Sequence, residues 1–297
     1  MRHLVALLLA VATPSFAETP SVVTDIPPVH ALVAQVMGDL GTPILLLAKG
    51  ADEHDFALRP SQAGQVADAG LVVWIGPELT PWLENALKNR AEGSASLELL
   101  DAKGTRTQPF PETEPEEADH EHEHGSVDPH AWLDSGNAKV WLGLIAAELS
   151  TLDPANAATY AANAAKAAVD IDALDAAVAA TLLPVRGKPI VMFHDAFGYF
   201  AARYDLTIAG TIALGDAASP GAKRLSELRA TMQTGDVLCI FPEVQHDPML
   251  VTQMAEGTGA RIGGGLDPVG SSLEPGAGAY AALLSGIAQT IADCVTR

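Results

Sequence analysis

Residues Pro154 to Leu183 are dominated by alanine and contain no interior glycine or proline. Alanine is the strongest helix former, so propensity alone predicts one continuous helix here, about 45 Å long at 1.5 Å per residue. Asp153 is placed to cap it, with Pro154 at the first helical position, where a missing N–H does no harm. Few small domains need a rod of that length. A helix spanning two packed units does, and an ordinary buried helix within one unit is the alternative.

The flanking sequence favours two units. Short apolar runs bounded by Gly, Pro or Asp read as strands at Val22–Thr24, Ile44–Ala48, Leu71–Ile75 and Leu97–Leu100, and again at Ile190–Phe193, Ile208–Ala213, Val237–Phe241 and Arg261–Gly263. Helical patterns fall between them at Pro28–Met37, Gln62–Ala69, Asp195–Arg203, Arg224–Gln233, Pro248–Glu256 and Gly278–Val295. Strand–helix alternation implies parallel sheets flanked by helices. The expected fold is therefore α/β: a lobe over 18–152, a linking helix over 153–183 and a second lobe over 184–297. A total of 297 residues suffices for two such cores.

Residues 1–17 read differently. A polar start at Arg2 and His3, an apolar run from Leu4 to Ala12, and Ser15-Phe16-Ala17 describe a secretory signal cleaved after Ala17. The apolar run is too short to span a bilayer. An exported, soluble chain is expected, and the charge agrees with its partners being cations. Lys+Arg number 17 against 37 Asp+Glu, a net charge of −20. Such a field repels phosphate backbones and anionic headgroups, which excludes nucleic acid and anionic membrane surfaces as partners.

Residues 107–126 hold Pro109, Pro111 and Pro115, a run of Glu and Asp, and His120, His122 and His124 at alternate positions. So polar a stretch has no apolar surface to bury and reads as an acidic His-rich loop. Low-affinity capture of divalent transition metals is expected there, against a solvated loop with incidental histidines.

Three further histidines lie in marked contexts: His54 in GADEHDF, His130 in DPHAWLD and His194 in FHDAF. His54 and His194 follow strands of different lobes. Ligands of open parallel sheets bind beyond the carboxyl ends of strands, so the two meet in the cleft between the lobes. Asp128 is expected to cap a helix begun by Pro129, with His130 in its first turn. Three neutral imidazoles suit Zn²⁺, and a fourth ligand is open among Glu53, Asp267 in LDPVG, and water. A His₃–water centre also describes an exported zinc hydrolase, although the chain has no HExxH.

Taken in order, GADEHDFALRPSQ, VVWIGPEL, DPHAWLD, FHDAFGYF, CIFPEVQ and LDPVG resemble the periplasmic zinc-binding proteins of ABC importers, the ZnuA type, over nearly the whole chain past the signal. The resemblance implies two α/β lobes joined by a rigid helix, with Zn²⁺ as the transported ligand held by His54, His130 and His194 and with Glu53 as the neighbouring carboxylate. Manganese-binding relatives tend to carry Glu where this chain has His194; a manganese-binding relative is the alternative within the class. The implied partners are a zinc ABC permease with its cytoplasmic ATPase and a periplasmic zinc chaperone. The chain is expected to be a monomer and not an enzyme. An oxidising compartment favours a disulfide between Cys239 and Cys294, as the resemblance also implies, against two buried thiols. His246 falls where the resemblance implies a nonligand, often aromatic, residue; it reads as a cleft-edge or surface histidine, with an auxiliary ligand as the alternative, and His30 is read the same way, at the start of a helix facing the cleft.

Overall fold

The computed structural model describes residues 19–110, 127–214 and 220–297. The signal segment 1–17 therefore lies outside the described residues, as do His120, His122 and His124. Two four-stranded sheets form the frame, and every strand pair in them is parallel. The first comprises β1 (Val22–Thr24), β2 (Ile44–Leu45), β3 (Leu71–Trp74) and β4 (Ala95–Glu98), in the order β2-β1-β3-β4. The second comprises β5 (Pro189–Met192), β6 (Thr207–Thr211), β7 (Cys239–Ile240) and β8 (Arg261–Ile262), in the order β6-β5-β7-β8. Strands β1 and β3 are buried along their whole length, as expected of strands covered on both faces.

The helices between strands are α1 (Pro27–Met37), α2 (Pro60–Ala67), α3 (Pro81–Leu87), α4 (Ser135–Leu152), α5 (Ala157–Leu182), α6 (Gly198–Tyr204), α7 (Ala222–Thr234) and α8 (Met249–Ala255), and α9 (Ala279–Val295) follows the last strand. The alanine-rich segment is α5. Its 26 α-helical residues, about 39 Å, are flanked by 3₁₀ turns at Pro154–Asn156 and Leu183–Val185. Asp153 and Pro154 stand, as expected, at the N-cap and first position of the leading 3₁₀ turn, and the Asp153 Oδ2 accepts from Asn156 Nδ2 and the Tyr160 hydroxyl.

Helix α5 buries Tyr160, Ala164, Ala167, Ile171, Val178 and Leu182. Steps of three and four residues between the first four place one stripe on one face. That stripe meets α1 and α4 on one side and α9 on the other. One continuous core results, running from Leu32 and Val36 of α1 through Trp141 and Ile145 of α4 to Tyr280, Leu284 and Ile287 of α9. Cys239 of β7 and Cys294 of α9 are joined in a disulfide, Cα–Cα 6.3 Å. Among the described residues no helix is long and apolar enough to cross a membrane.

Candidate metal centre

Strand ends and loops deliver the three histidines to one place. His194 stands two residues beyond β5, His54 lies in the segment after β2, and His130 directly precedes a 3₁₀ turn at Ala131–Leu133. Helix α4 begins only at Ser135, where the Asp134 side chain accepts from Gly136 N at 2.8 Å. This corrects the expected role of Asp128. Its Oδ1 accepts from His130 N at 3.0 Å and from His130 Nδ1 at 2.8 Å. Asp128 therefore orients the imidazole instead of starting a helix.

His194 is held the same way. Its Nδ1 lies 2.8 and 2.7 Å from the two oxygens of Glu243. A carboxylate only accepts, so in both histidines Nδ1–H donates and the lone pair rests on Nε2. Those two Nε2 atoms face each other at 3.4 Å, and both rings are buried. The Nε2 of His54 is buried and has no hydrogen-bond partner in the protein. Its ring centroid lies 5.4 Å from that of His130 and 5.7 Å from that of His194. One ligand atom from each of the three lies within 4.8 Å of the others. Ligands on a tetrahedral Zn²⁺ with arms of about 2.0–2.1 Å are separated by about 3.3–3.4 Å, so the His130–His194 pair already has the spacing of one edge. Two facing nitrogens at this distance need something shared between them, either a proton on one of them or a cation bound by both.

The electrostatics hold the imidazoles ready. Burial, then the neighbouring His130 and His194, push His54 down to about 3. Burial and His194 hold His130 well below the ordinary range. Burial opposes charge on His194 as well, but the Glu243 charge and hydrogen bond outweigh it and raise its pKa. The raised basicity marks His194 as the strongest donor of the three. Beside His54, burial pushes the Glu53 carboxyl up to about 8.

The remaining expected residues sit elsewhere. Glu53 is buried next to the triad, but its carboxylate is not among the atoms within 4.8 Å. Asp267 turns both oxygens onto its own loop: Oδ1 accepts from Gly270 N, Ser271 N and Gln245 Nε2, and Oδ2 from Ser272 N and Oγ. Ser271 O in turn accepts from Gly50 N, so this loop braces the segment that carries His54. His30 is buried on α1 with its Nε2 against Pro43 O at 3.1 Å, away from the triad. The His-rich loop departs beside the site, since Pro109 bridges Val127 and Asp128 N donates to Gln108 O.

Parallel sheets in two units, braced by one long helix and presenting converging imidazoles beyond their strand ends, define a metal-binding solute-binding protein. The profile of the family described as "Zinc-uptake complex component A periplasmic", ZnuA, matches residues 22–294. The high-affinity zinc uptake system protein ZnuA of Paracoccus denitrificans (strain Pd 1222) is 46% identical over 315 residues, covering 98% of this chain and 97% of that protein. Among solved structures, a crystal structure of ZnuA aligns with TM-score 0.79 at 24% identity, covering 93% of this chain and 99% of that one. A ZnuA deletion mutant with zinc bound aligns with TM-score 0.76 at 24% identity, covering 93% and 98%. The chain belongs to the ZnuA family. That family is a periplasmic component of zinc-uptake complexes and not an enzyme, which overturns the hydrolase alternative.

Glu243 escaped the sequence reading as a site residue. Its signal was available: an acid just beyond a strand of the second sheet, on the edge that also presents His194.

Proposed function

We propose that this chain captures Zn²⁺ in the periplasm with His54, His130 and His194 and delivers it to an ABC permease driven by a cytoplasmic ATPase. The observation that carries this is the pair of Nε2 atoms 3.4 Å apart, each turned inward by a carboxylate on its Nδ1. Three imidazoles favour zinc over manganese, which recruits more carboxylate oxygen. The fourth position falls to Glu53 or to water, because Asp267 is engaged in its own loop. A carboxyl already desolvated beside the site becomes a better ligand once a dication lowers its pKa.

The working chain begins after cleavage at Ala17, with lobes at 18–152 and 184–297 and the linking helix at 153–183. It acts as a monomer, and a periplasmic zinc chaperone is a further donor. The loop histidines His120, His122 and His124 bind zinc weakly, since their Pro-containing acidic sequence offers ligand atoms but no apolar surface to fix them in place.

Competition titration of chelator-stripped protein tests the site. His54→Ala, His130→Ala and His194→Ala are each expected to weaken binding by orders of magnitude. A variant that keeps the affinity of the parent protein removes that residue from the ligand set.

A further inference from the structure

A second polar cluster lies immediately outside the triad, around His246. His246 stands at the rim with 22% of its side chain exposed. Its ring stacks on Phe193, centroids 4.5 Å apart and planes 22° apart, which fixes where its nitrogens point. Its Nε2 lies 3.7 Å from Glu243 Oε2 and 3.8 Å from Asp52 Oδ2. Neither distance is a hydrogen bond. Both are a few tenths of an ångström wider than two ligands on one tetrahedral zinc, about 3.3–3.4 Å apart. Ligand atoms of His194, Glu243 and His246 also lie within 4.8 Å of one another.

Both carboxylates of this cluster touch the inner site. Glu243 holds Nδ1 of His194, and Asp52 Oδ1 accepts from His54 N at 2.9 Å. The rim cluster and the triad are therefore adjacent and share supports.

We propose that His246 and Glu243, with Asp52 as a third contributor 3.8 Å from the same His246 nitrogen, form an outer, weaker Zn²⁺ position at the rim, from which the ion passes inward to His194. This rests on the reading that the inner triad binds zinc. The outer position offers one imidazole and two carboxylates, one of them already hydrogen-bonded to a ring N–H, so fewer lone pairs are free for the metal. An ion in the triad also draws electron density from Glu243 through His194. Both effects make the outer position the weaker one.

The test uses the full chain carrying His120→Ala, His122→Ala and His124→Ala, so that loop ligands do not contribute. Chelator-stripped protein is titrated with Zn²⁺ by calorimetry, and bound metal is counted after dialysis against free zinc set between the two affinities and above both. Two equivalents are expected, the second at least tenfold weaker. Adding His246→Gln should abolish the second and leave the first within about twofold. A single equivalent in the His246-containing protein, or two in the His246→Gln protein, overturns the outer position. Loss of the tight equivalent on His246→Gln also overturns it, by placing His246 in the inner site. Absence of any tight zinc in the parent chain overturns the triad reading itself, and the outer position with it.

Discussion

Asp175 sits near the buried stripe of α5, in the middle of an otherwise alanine-rich rod, and ties that rod to both halves of the molecule. Its Oδ1 accepts from Ser135 Oγ at 2.7 Å, Arg203 Nε at 2.6 Å and the Tyr204 hydroxyl at 2.9 Å, and its Oδ2 from Arg203 Nη2 at 2.8 Å. Ser135 opens α4 and Arg203 and Tyr204 close α6, so one carboxylate links helices from either side of the rod. Burial works against its charge, but hydrogen bonds from Arg203, Ser135 and Tyr204, together with the Arg203 charge, outweigh it and bring the carboxyl down from 3.8 to about 2. That fall is equivalent to about 2.5 kcal/mol in favour of the ionised folded form. With 27% of the side chain exposed, solvent screening lowers the expected contribution to about 1–2 kcal/mol. The sign is that of a depressed acid: the contribution is fully present above the unfolded pKa and disappears as pH falls through 3.8 towards about 2. Asp175→Asn should therefore lower unfolding stability by about 1–2 kcal/mol at pH 7, read as a lower denaturant midpoint with an unchanged slope. The gap between the two proteins should close between about pH 5 and pH 2. A loss below about 0.5 kcal/mol at pH 7, or a gap that stays constant down to pH 2, refutes the assignment.

Glu243→Gln keeps the shape of the side chain but weakens the hold on His194; zinc affinity should fall about 10–100-fold in a competition titration, with the fold unchanged by circular dichroism. An unchanged affinity would mean that Glu243 does not tune the site. The disulfide closes a separation of 55 residues, so the Cys239→Ser, Cys294→Ser double variant should lose up to about 4 kcal/mol by denaturant unfolding. Thiol counting of the oxidised, denatured protein should find no reactive thiol, and two would contradict the bridge.

All eight strands stood out in the sequence as short runs bounded by Gly, Pro or Asp; β1, β3 and β7 are buried throughout, whereas both residues of β8 are exposed, so there the bounding residues carried the signal. β2, β3, β6, β7 and β8 are shorter than the runs that marked them, as at Val237–Phe241 against β7 (Cys239–Ile240), because pairing ends where the neighbouring strand does, and β4 (Ala95–Glu98) starts two residues ahead of the expected Leu97–Leu100. Helix α4 was not legible. Two glycines and an asparagine dilute its helical pattern, and Asp128-Pro129 imitates a helix start a full turn and a half too early. The same imitation hid the second carboxylate of the site. An aspartate before a proline and a histidine is locally a cap, and only tertiary structure, which turns the His130 ring back onto it, makes it a support. Glu243 depends on a contact across 49 positions, which no local pattern encodes. Local motifs marked the three candidate imidazoles, whereas the carboxylates that orient two of their rings come from one contact two residues away and one across 49 positions.

Those contacts bear on how the ion is given up. One core runs through α1, α4, α5 and α9, and the triad is bounded by hydrogen bonds between the two halves: Trp132 Nε1 to Pro268 O at 2.8 Å, Gly50 N to Ser271 O at 2.9 Å, and the Tyr199 hydroxyl to Asp128 O at 2.8 Å. A wide hinge opening would break all of these and shear close-packed side chains along α5, each buried group left unpaired costing about 1–3 kcal/mol. The His54 segment is the weaker wall. His54 itself is only half-buried, and its backbone is tied by Asp52 and by Trp82 Nε1 to Glu53 O at 3.0 Å. Displacing this one segment removes an imidazole while the two carboxylate-braced rings stay in place. Moving residues 51–59 alone would leave the Gly50–Ser271 bond and the other two between the halves intact, so of the three candidate imidazoles His54 is the one whose withdrawal breaks the fewest contacts.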